Sequence, residues 1–384
     1  MIAATVHGSA TSADDLERNV YCVLGLPIDA LDMRIILDRI CTAATGGRTP
    51  CLISTPNLNF LVNSRSDPAF RESILDSDLC PADGMPIVWI ARLIGAPIKK
   101  RVSGSDIFDS LKTGAGCGRA LRVFLFGGAE GAAATARNAI NATSMSLKCV
   151  GAFNPGVGSV EDMSRNDILD RLNASQADFL VVALGSKKGQ LWLHQNHHRL
   201  TIPLRAHLGA AMNFAAGRVK RAPRWLRACG LEWLWRIKEE PDLWRRYTHD
   251  GSVLLRIVLT RALPLALLNR WYRLKSRWGS SQLLISIVQN DHCATIRLAG
   301  DATECNISTA INFFRETLMS RNTNVVIDLG STRIIDGRFL GLLLMLRKNL
   351  KSRGANLSFV RVSPAIRKLF CFNDLNFLVE SAVE

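Results

Sequence analysis

Phe179-Leu180-Val181-Val182-Ala183-Leu184 runs straight into Gly185-Ser186. Six consecutive apolar residues stopped by a glycine are too short for a core helix and read as a strand buried on both faces. The same pattern recurs on its N-terminal side. Cys51–Ser54 ends in Thr55-Pro56-Asn57, and Val123–Phe126 ends in Gly127-Gly128. Helical patterns lie between these runs, among them 132–142 and 164–174. Strand, glycine and helix in repetition signal βαβ units and a mostly parallel sheet. Ligands of such sheets bind beyond the carboxyl ends of the strands, so Thr55–Asn57, Gly127-Gly128 and Gly185 are candidate site loops.

Beyond Ser280 the texture changes. Leu283–Val288, Ala294–Leu298, Val325–Leu329 and Leu357–Val360 read as strands, with helices over 306–319, 339–350 and 364–369. The chain of 384 residues therefore divides into an α/β domain over 20–250, a linking segment over 251–280 and a second, smaller α/β domain over 281–384.

Charge is unevenly placed. The whole chain carries a formal +15, and 218–278 alone holds 15 Lys and Arg against 5 acids. Within it, Val253–Trp278 mixes leucines with Arg256, Arg261, Arg270, Arg273, Lys275 and Arg277, and Trp271, Tyr272 and Trp278 gather at one end. The arginines interrupt the segment too often for a spanning helix and suit the headgroup layer of an anionic membrane, or solvent beside an interdomain helix pair. Pro264 is expected to break or kink any helix here. Residues 1–19 carry Asp14, Asp15 and Glu17 and no basic-then-apolar pattern, so secretion is not expected. Ten cysteines fall singly, with no Cys-x-x-Cys pair and no Cys/His cluster, so reduced thiols are expected and disulfides or structural zinc are not.

Three clusters could carry chemistry. Pro81-Ala82-Asp83-Gly84-Met85-Pro86 places one carboxylate in a turn before an apolar helix. Lys99-Lys100-Arg101-Val102-Ser103-Gly104-Ser105-Asp106 joins basic charge to a helix start, which suits phosphate or an ordinary cap. Arginine and tryptophan interleave through 217–247, which suits nucleic acid, or a nucleotide diphosphate with a lipid-borne phosphate.

Taken in order, Thr55-Pro56-Asn57, Ala82–Pro86, Arg101–Asp106, Phe126-Gly127-Gly128, Asn154-Pro155, Leu184-Gly185-Ser186, Gly217…Arg221-Ala222-Pro223, Leu231-Glu232-Trp233 and Arg245-Arg246-Tyr247 resemble glycosyltransferase family 26 over residues 20–250. Its members transfer N-acetylmannosamine, N-acetylmannosaminuronic acid or glucose in bacterial surface-polysaccharide and teichoic-acid assembly. The resemblance implies a Rossmann-like transferase domain with a basic helical appendage over about 218–250. It also implies inverting transfer from a UDP-sugar to a polyprenyl-diphosphate-linked sugar, without metal or other cofactor, by a peripheral protein at the cytoplasmic face of the inner membrane. Asp83 matches the family's proposed general base, and Thr55 and Asn57 match residues lining the same pocket. Arg101, Gly104, Asp106, Gly127, Gly128 and Gly185 join them as substrate-binding candidates, and Arg221, Arg236, Arg245 and Arg246 are candidates to hold the leaving diphosphate. On this reading nucleic acid is not a partner.

Three departures stand out. The family's usual Gly-x-Pro-Lys-Gln-Glu is here Gly185-Ser186-Lys187-Lys188-Gly189-Gln190, so Gly189 lacks the Gln side chain. Asn213 stands for the usual Asp and Leu243 for the usual Arg. They imply altered donor specificity or, alternatively, a degenerate transferase kept as a scaffold. Residues 282–384 resemble a STAS domain, carried by Val325–Leu329 and Ile334-Ile335-Asp336-Gly337-Arg338-Phe339-Leu340-Gly341. Gly337 replaces the serine that is phosphorylated in the regulatory family, so that switch is chemically excluded here. Binding to a protein partner, to itself or to a nucleotide is what this domain is expected to offer.

Overall fold

The computed structural model describes residues 14–46, 50–114, 117–239, 241, 243–276, 282–290, 293–319 and 324–380. Arg277 and Trp278 from the basic segment lie outside these residues.

The transferase-like part is built on five parallel strands: β3 (Cys51–Ile53), β4 (Leu121–Gly127), β5 (Leu147–Phe153), β6 (Phe179–Ala183) and β7 (Leu204–His207), preceded by a separate hairpin of β1 (Val20–Val23) and β2 (Leu26–Asp29). The sheet order is β3-β7-β6-β4-β5. From β4 the chain steps outward to β5, then returns across to β6 and continues to β7, so the direction of winding reverses between β4 and β6. Open α/β sheets carry their crevice at such a reversal. Gly127 and Gly128 close β4 there, with φ of 93° and 86°. A Cβ on Gly127 would lie 2.7 Å from the Ala183 carbonyl oxygen of β6. Gly127 is thus a packing residue at the crevice floor.

The C-terminal part is a four-stranded mixed sheet, order β11-β10-β9-β8, of β8 (Leu283–Asn290), β9 (Cys293–Ala302), β10 (Asn324–Ile335) and β11 (Leu357–Val360). Helices Ile307–Met319, Gly337–Ser352 and Pro364–Phe372 accompany it. The α/β class and the α/β C-terminal domain read from the sequence are both present. β10 is longer than its apolar run, because two irregularities carry it on to Ile335.

One hydrophobic cluster runs across the two parts, while two further clusters pack the faces of the parallel sheet. A single cluster contains Cys22 and Ile28 from the hairpin, Ile74 and Ile90 from the transferase-like part, and Ile327, Leu343 and Phe370 from the C-terminal part. The hairpin is the wedge between them. Helix Gly337–Ser352 meets it so closely that a Cβ on Gly341 would overlap the Val20 carbonyl oxygen and lie 2.7 Å from the Val20 carbonyl carbon. Charged contacts ring this seam. Arg347 donates to both carboxylate oxygens of Glu72 at 2.9 and 3.0 Å, Lys351 bridges Glu72 and Asp76, and Lys348 lies 2.6 Å from Asp78. The Tyr21 hydroxyl donates to Glu304 at 2.8 Å.

Two expectations are overturned. Pro264 does not break its helix. Helix Leu243–Ile257 passes through one π turn, Val258–Ala262, into helix Leu263–Ser276, and the Leu263 N–H bonds the Val258 carbonyl five residues back. The extra residue in that turn relieves the clash a proline ring makes with the carbonyl four residues earlier. The resulting Trp244–Tyr272 stretch of 29 residues is long and apolar enough by length and composition to cross a membrane, although its arginines had weighed against one. The cysteines also depart from the expectation of reduced thiols throughout. Cys41 and Cys117, 76 residues apart, form a disulfide with Cα atoms 4.9 Å apart. The fold packs helix Met33–Gly46 beside helix Gly104–Lys112, a proximity that single cysteines in a sequence cannot announce. The other eight cysteines are free thiols.

Candidate active site

A cavity of about 660 Å³ opens beyond the carboxyl ends of β3, β4, β6 and β7. Its floor is the turn holding Asp83. The Asp83 N–H donates to the Pro56 carbonyl at 2.9 Å, and the Val102 N–H donates to the Ala82 carbonyl at 2.9 Å, so the segments 55–57, 81–84 and 101–104 are tied side by side. Gly84, at φ 90°, turns the chain into helix Met85–Ile94, and no side chain caps that helix. Asp83 is thereby left free of local capping duty and faces the cavity.

Protein crowds the Asp83 carboxyl on every side but the cavity, and that burial pushes it up to about 7. Arg101 and the Gly104 N–H pull against the rise, while Glu232 and Asp106 add to it. A carboxylate poised near neutrality can accept a proton from a hydroxyl and remain partly ionised at working pH.

The remaining expected residues divide by what they touch. Thr55, Asn57, Arg101, Gly104, Gly128, Gly185, Arg236 and Arg246 line the cavity with Asp83. Asn57 also caps helix Leu58–Ser66 through the Phe60 N–H at 3.1 Å. Gly104 admits Leu208, whose side chain would overlap any Cβ there. Asp106 and Arg221 sit behind the wall and clasp each other; Asp106 also holds Arg101 at 3.3 Å and Arg227 at 3.2 Å. Arg221 further pairs with Asp109. The Ser103 hydroxyl donates to Asp106 at 2.6 Å, and with these cations it holds the Asp106 carboxyl low against the opposing effect of burial. Arg101 in turn pairs with Glu232 of the appendage. This network fastens the appendage over the cavity. Arg245 is exposed on helix Leu243–Ile257 and does not line the cavity, while Gly127 packs on β6 beneath it.

Among the lining residues that sequence reading missed are Trp89, His207 and Asp250. Asp250 is buried and accepts from Asn59 at 3.4 Å, but in the sequence it is one acid among basic residues with no signal of its own. Among the described residues no group of three or more His, Cys, Asp or Glu could hold a metal ion.

The cavity mouth is flanked by bare apolar surface. Trp225, Trp233, Leu234 and Trp244 of the appendage and Leu255 and Leu267 of the linking segment are exposed, as is Trp89. The opposite face of the long helix is fixed to the protein: Ile257, Ala262 and Leu265 are buried, Arg261 donates to the Cys371 carbonyl at 2.6 Å, and Asn269 donates to the Ile94 carbonyl at 2.9 Å.

Residues 21–266 match the family described as Glycosyl transferase WecG/TagA/CpsF family, and residues 285–380 match the domain described as Mlab, STAS domain. The chain is 28% identical over 194 residues to an N-acetylglucosaminyldiphosphoundecaprenol N-acetyl-beta-D-mannosaminyltransferase of Bacillus spizizenii, covering 50% of this chain and 73% of that protein. A Bacillus subtilis protein of the same description is 26% identical over 195 residues, covering 51% of this chain and 74% of its own.

Proposed function

The chain belongs to the WecG/TagA/CpsF glycosyl transferase family, and on that premise we propose that it moves a hexose or N-acetylhexosamine from a UDP-sugar to a sugar carried on a polyprenyl diphosphate in surface-polysaccharide assembly. The names of the two Bacillus relatives make an N-acetylmannosaminyl donor and an N-acetylglucosaminyl-diphospholipid acceptor the first pair to try.

One observation carries the mechanism: Asp83 is a carboxyl near neutrality, uncommitted to any cap, on the floor of an open cavity. In the transfer, Asp83 takes the proton of the acceptor hydroxyl as that oxygen bonds to the anomeric carbon. The bond from that carbon to the diphosphate oxygen breaks on the opposite face, and its electron pair leaves with UDP, so the configuration inverts. Arg236 and Arg246 line the same cavity and are the groups assigned to the departing charge, because guanidinium forks match phosphate oxygens. Arg101 tunes Asp83 and tethers Glu232, and the Asp106 and Arg221 clasp keeps the appendage seated.

The acceptor is a lipid, and the surface around the cavity suits one. Exposed tryptophans and leucines beside Arg245 and Arg256 make a basic, aromatic face at the cavity mouth. Since the other face of helix 243–276 is pinned to Cys371 and Ile94, the helix is assigned to lie along the cytoplasmic membrane surface rather than cross it.

The deciding experiment is UDP release by the full chain on vesicles containing anionic lipid. UDP-glucose, UDP-N-acetylmannosamine and UDP-N-acetylmannosaminuronic acid would each be offered with short-chain lipid-diphosphate acceptors, with and without EDTA. Acceptor-dependent release that persists in EDTA is expected. A folded, vesicle-bound chain that releases nothing with any pair would overturn the reading in favour of a scaffold.

A further inference from the structure

We propose that His207 is a donor-recognising side chain of this cavity, its ring seated in the space that Gly189 leaves free and hydrogen-bonding an uncharged polar group of the bound sugar nucleotide. The inference rests on reading the cavity as the donor site.

His207 ends β7, between β3 and β6, and its ring lines the cavity with Ala183, Gly185 and Gly209. Gly189 lies in the first turns of helix Ser186–Gln195, directly behind that ring. A Cβ on Gly189 would overlap the ring at Cδ2 and come within 3.0 Å of Nε2. The imidazole and any side chain at 189 therefore exclude each other, and this chain has chosen the imidazole. The same substitution that removes a polar side chain from helix Ser186–Gln195 makes room for one from β7.

The ring is a binding group without a partner. Its Nε2 is sealed from solvent and accepts or donates no hydrogen bond among the described residues. Glycines flank it on both sides, Gly209 being placed so that a Cβ would stand 3.6 Å from Nε2. The neighbouring polar side chain is already committed, since the Ser186 hydroxyl bonds Asn59 at 3.0 Å. A buried polar atom left unpaired opposes folding, and a ligand that pairs it recovers that cost on binding. The charge state narrows the ligand group. Burial pushes the imidazole down to about 4, so it is neutral at working pH and suits a hydroxyl, carbonyl or amide rather than the diphosphate.

The test measures equilibrium binding of UDP, UDP-glucose and UDP-N-acetylmannosamine, together with donor KM and kcat, for the parent chain, His207→Phe, His207→Gln, Gly189→Gln and the double variant Gly189→Gln with His207→Gly. His207→Phe should weaken sugar-nucleotide binding and raise donor KM roughly tenfold to a hundredfold, with kcat at saturating donor and Tm close to the parent. His207→Gln should recover most of the loss. Gly189→Gln alone should be as impaired as His207→Phe, and the double variant should bind better than either single change predicts. Equal loss for UDP and the UDP-sugars supports a contact to the nucleoside; loss confined to the UDP-sugars supports a contact to the sugar. Parental binding and KM in His207→Phe, or additive losses in the double variant, would overturn the proposal. If His207→Phe does not fold, His207→Gln against Gly189→Gln decides by the same criterion. A parent that binds UDP-sugars but transfers none would break the transferase reading alone and leave the binding comparison intact.

Discussion

Two Asp-Gly turns in this chain are nearly interchangeable on paper. Asp83-Gly84 and Asp336-Gly337 each follow a buried segment, each open an apolar helix, and each carboxyl is raised above its ordinary range first of all by burial. Their surroundings send them to opposite uses. Asp336 caps its helix, accepting the Phe339 N–H at 2.8 Å and the Glu304 N–H at 2.7 Å. The chain's own hairpin closes over it, with the Cys22 carbonyl oxygen 3.4 Å from where a Gly337 Cβ would be. Asp83 does not cap the helix that follows it, meets only the Gly104 N–H among backbone donors, and has 660 Å³ of cavity in front of it. A carboxylate becomes available to chemistry when the fold leaves it both unemployed and unobstructed, and neither property is written in the dipeptide.

The comparison breaks most sharply at Asp83 itself. Asp83→Asn is expected to lower the transfer rate about 10²- to 10⁴-fold, read as acceptor-dependent UDP release. Its stability should move the other way. The folded carboxyl titrates at about 7 against 3.8 for the ordinary group, so the folded state holds that proton more tightly. The stabilisation this gives is full below 3.8 and is lost as pH rises through 7. Asn keeps the neutral form at every pH. The Tm of Asp83→Asn should therefore exceed the parent's above pH 7 and converge with it near pH 4; a lower Tm at pH 8 would count against a strained, uncommitted carboxylate.

On the other side of the comparison, Gly341→Val drives a side chain into the Val20 carbonyl, and overpacking of this kind costs about 1–3 kcal/mol. Thermal unfolding should show one earlier transition for the whole chain, because one core cluster spans the two parts. Two separated transitions would mean the two parts fold independently. Asp336→Ala removes the acceptor for two N–H groups and should cost ~0.5–2 kcal/mol in chemical denaturation while leaving turnover at 25 °C unchanged. The smallest effect expected is a shift in pH dependence. Glu232 raises the Asp83 carboxyl, so Glu232→Gln should move the acid limb of the rate profile, centred near 7, to lower pH. A limb that does not move would assign it to another group.

Much of the frame was legible because it is local. FLVVAL and its fellow apolar runs are strands within a residue or two of their reading, and the glycines after them mark the sheet ends that meet the cavity. Asp83, Thr55 and Asn57 could be placed because an ordered series of short motifs carried them together. What stayed hidden depends on distant partners. The hairpin turns at Leu24-Gly25, with φ of 50° and 85°, and leucine in a left-handed turn is no hairpin signal. Arg221 and Asp106 looked like ligand-facing charges, yet each satisfies the other behind the wall. Gly189 reads as a missing contact until the fold brings His207, 18 positions later, into the same space. The π turn before Pro264 turns an expected break into a continuous helix by a one-residue adjustment that hydrophobic periodicity does not register.

The wedge position of the hairpin has a consequence for synthesis. About 320 residues separate Val20 from Gly341, whose helix completes the hairpin's packing. At ~5–20 residues per second, a ribosome needs roughly 15–60 s to make the one from the other. Through that interval the hairpin can pack on helices Pro68–Leu75 and Met85–Ile94 but not on helix Gly337–Ser352, so its other face stays uncovered. Birth order therefore leaves one seam open: the parallel sheet can bury both its faces at once, while the apolar edge at the hairpin waits for the last hundred residues.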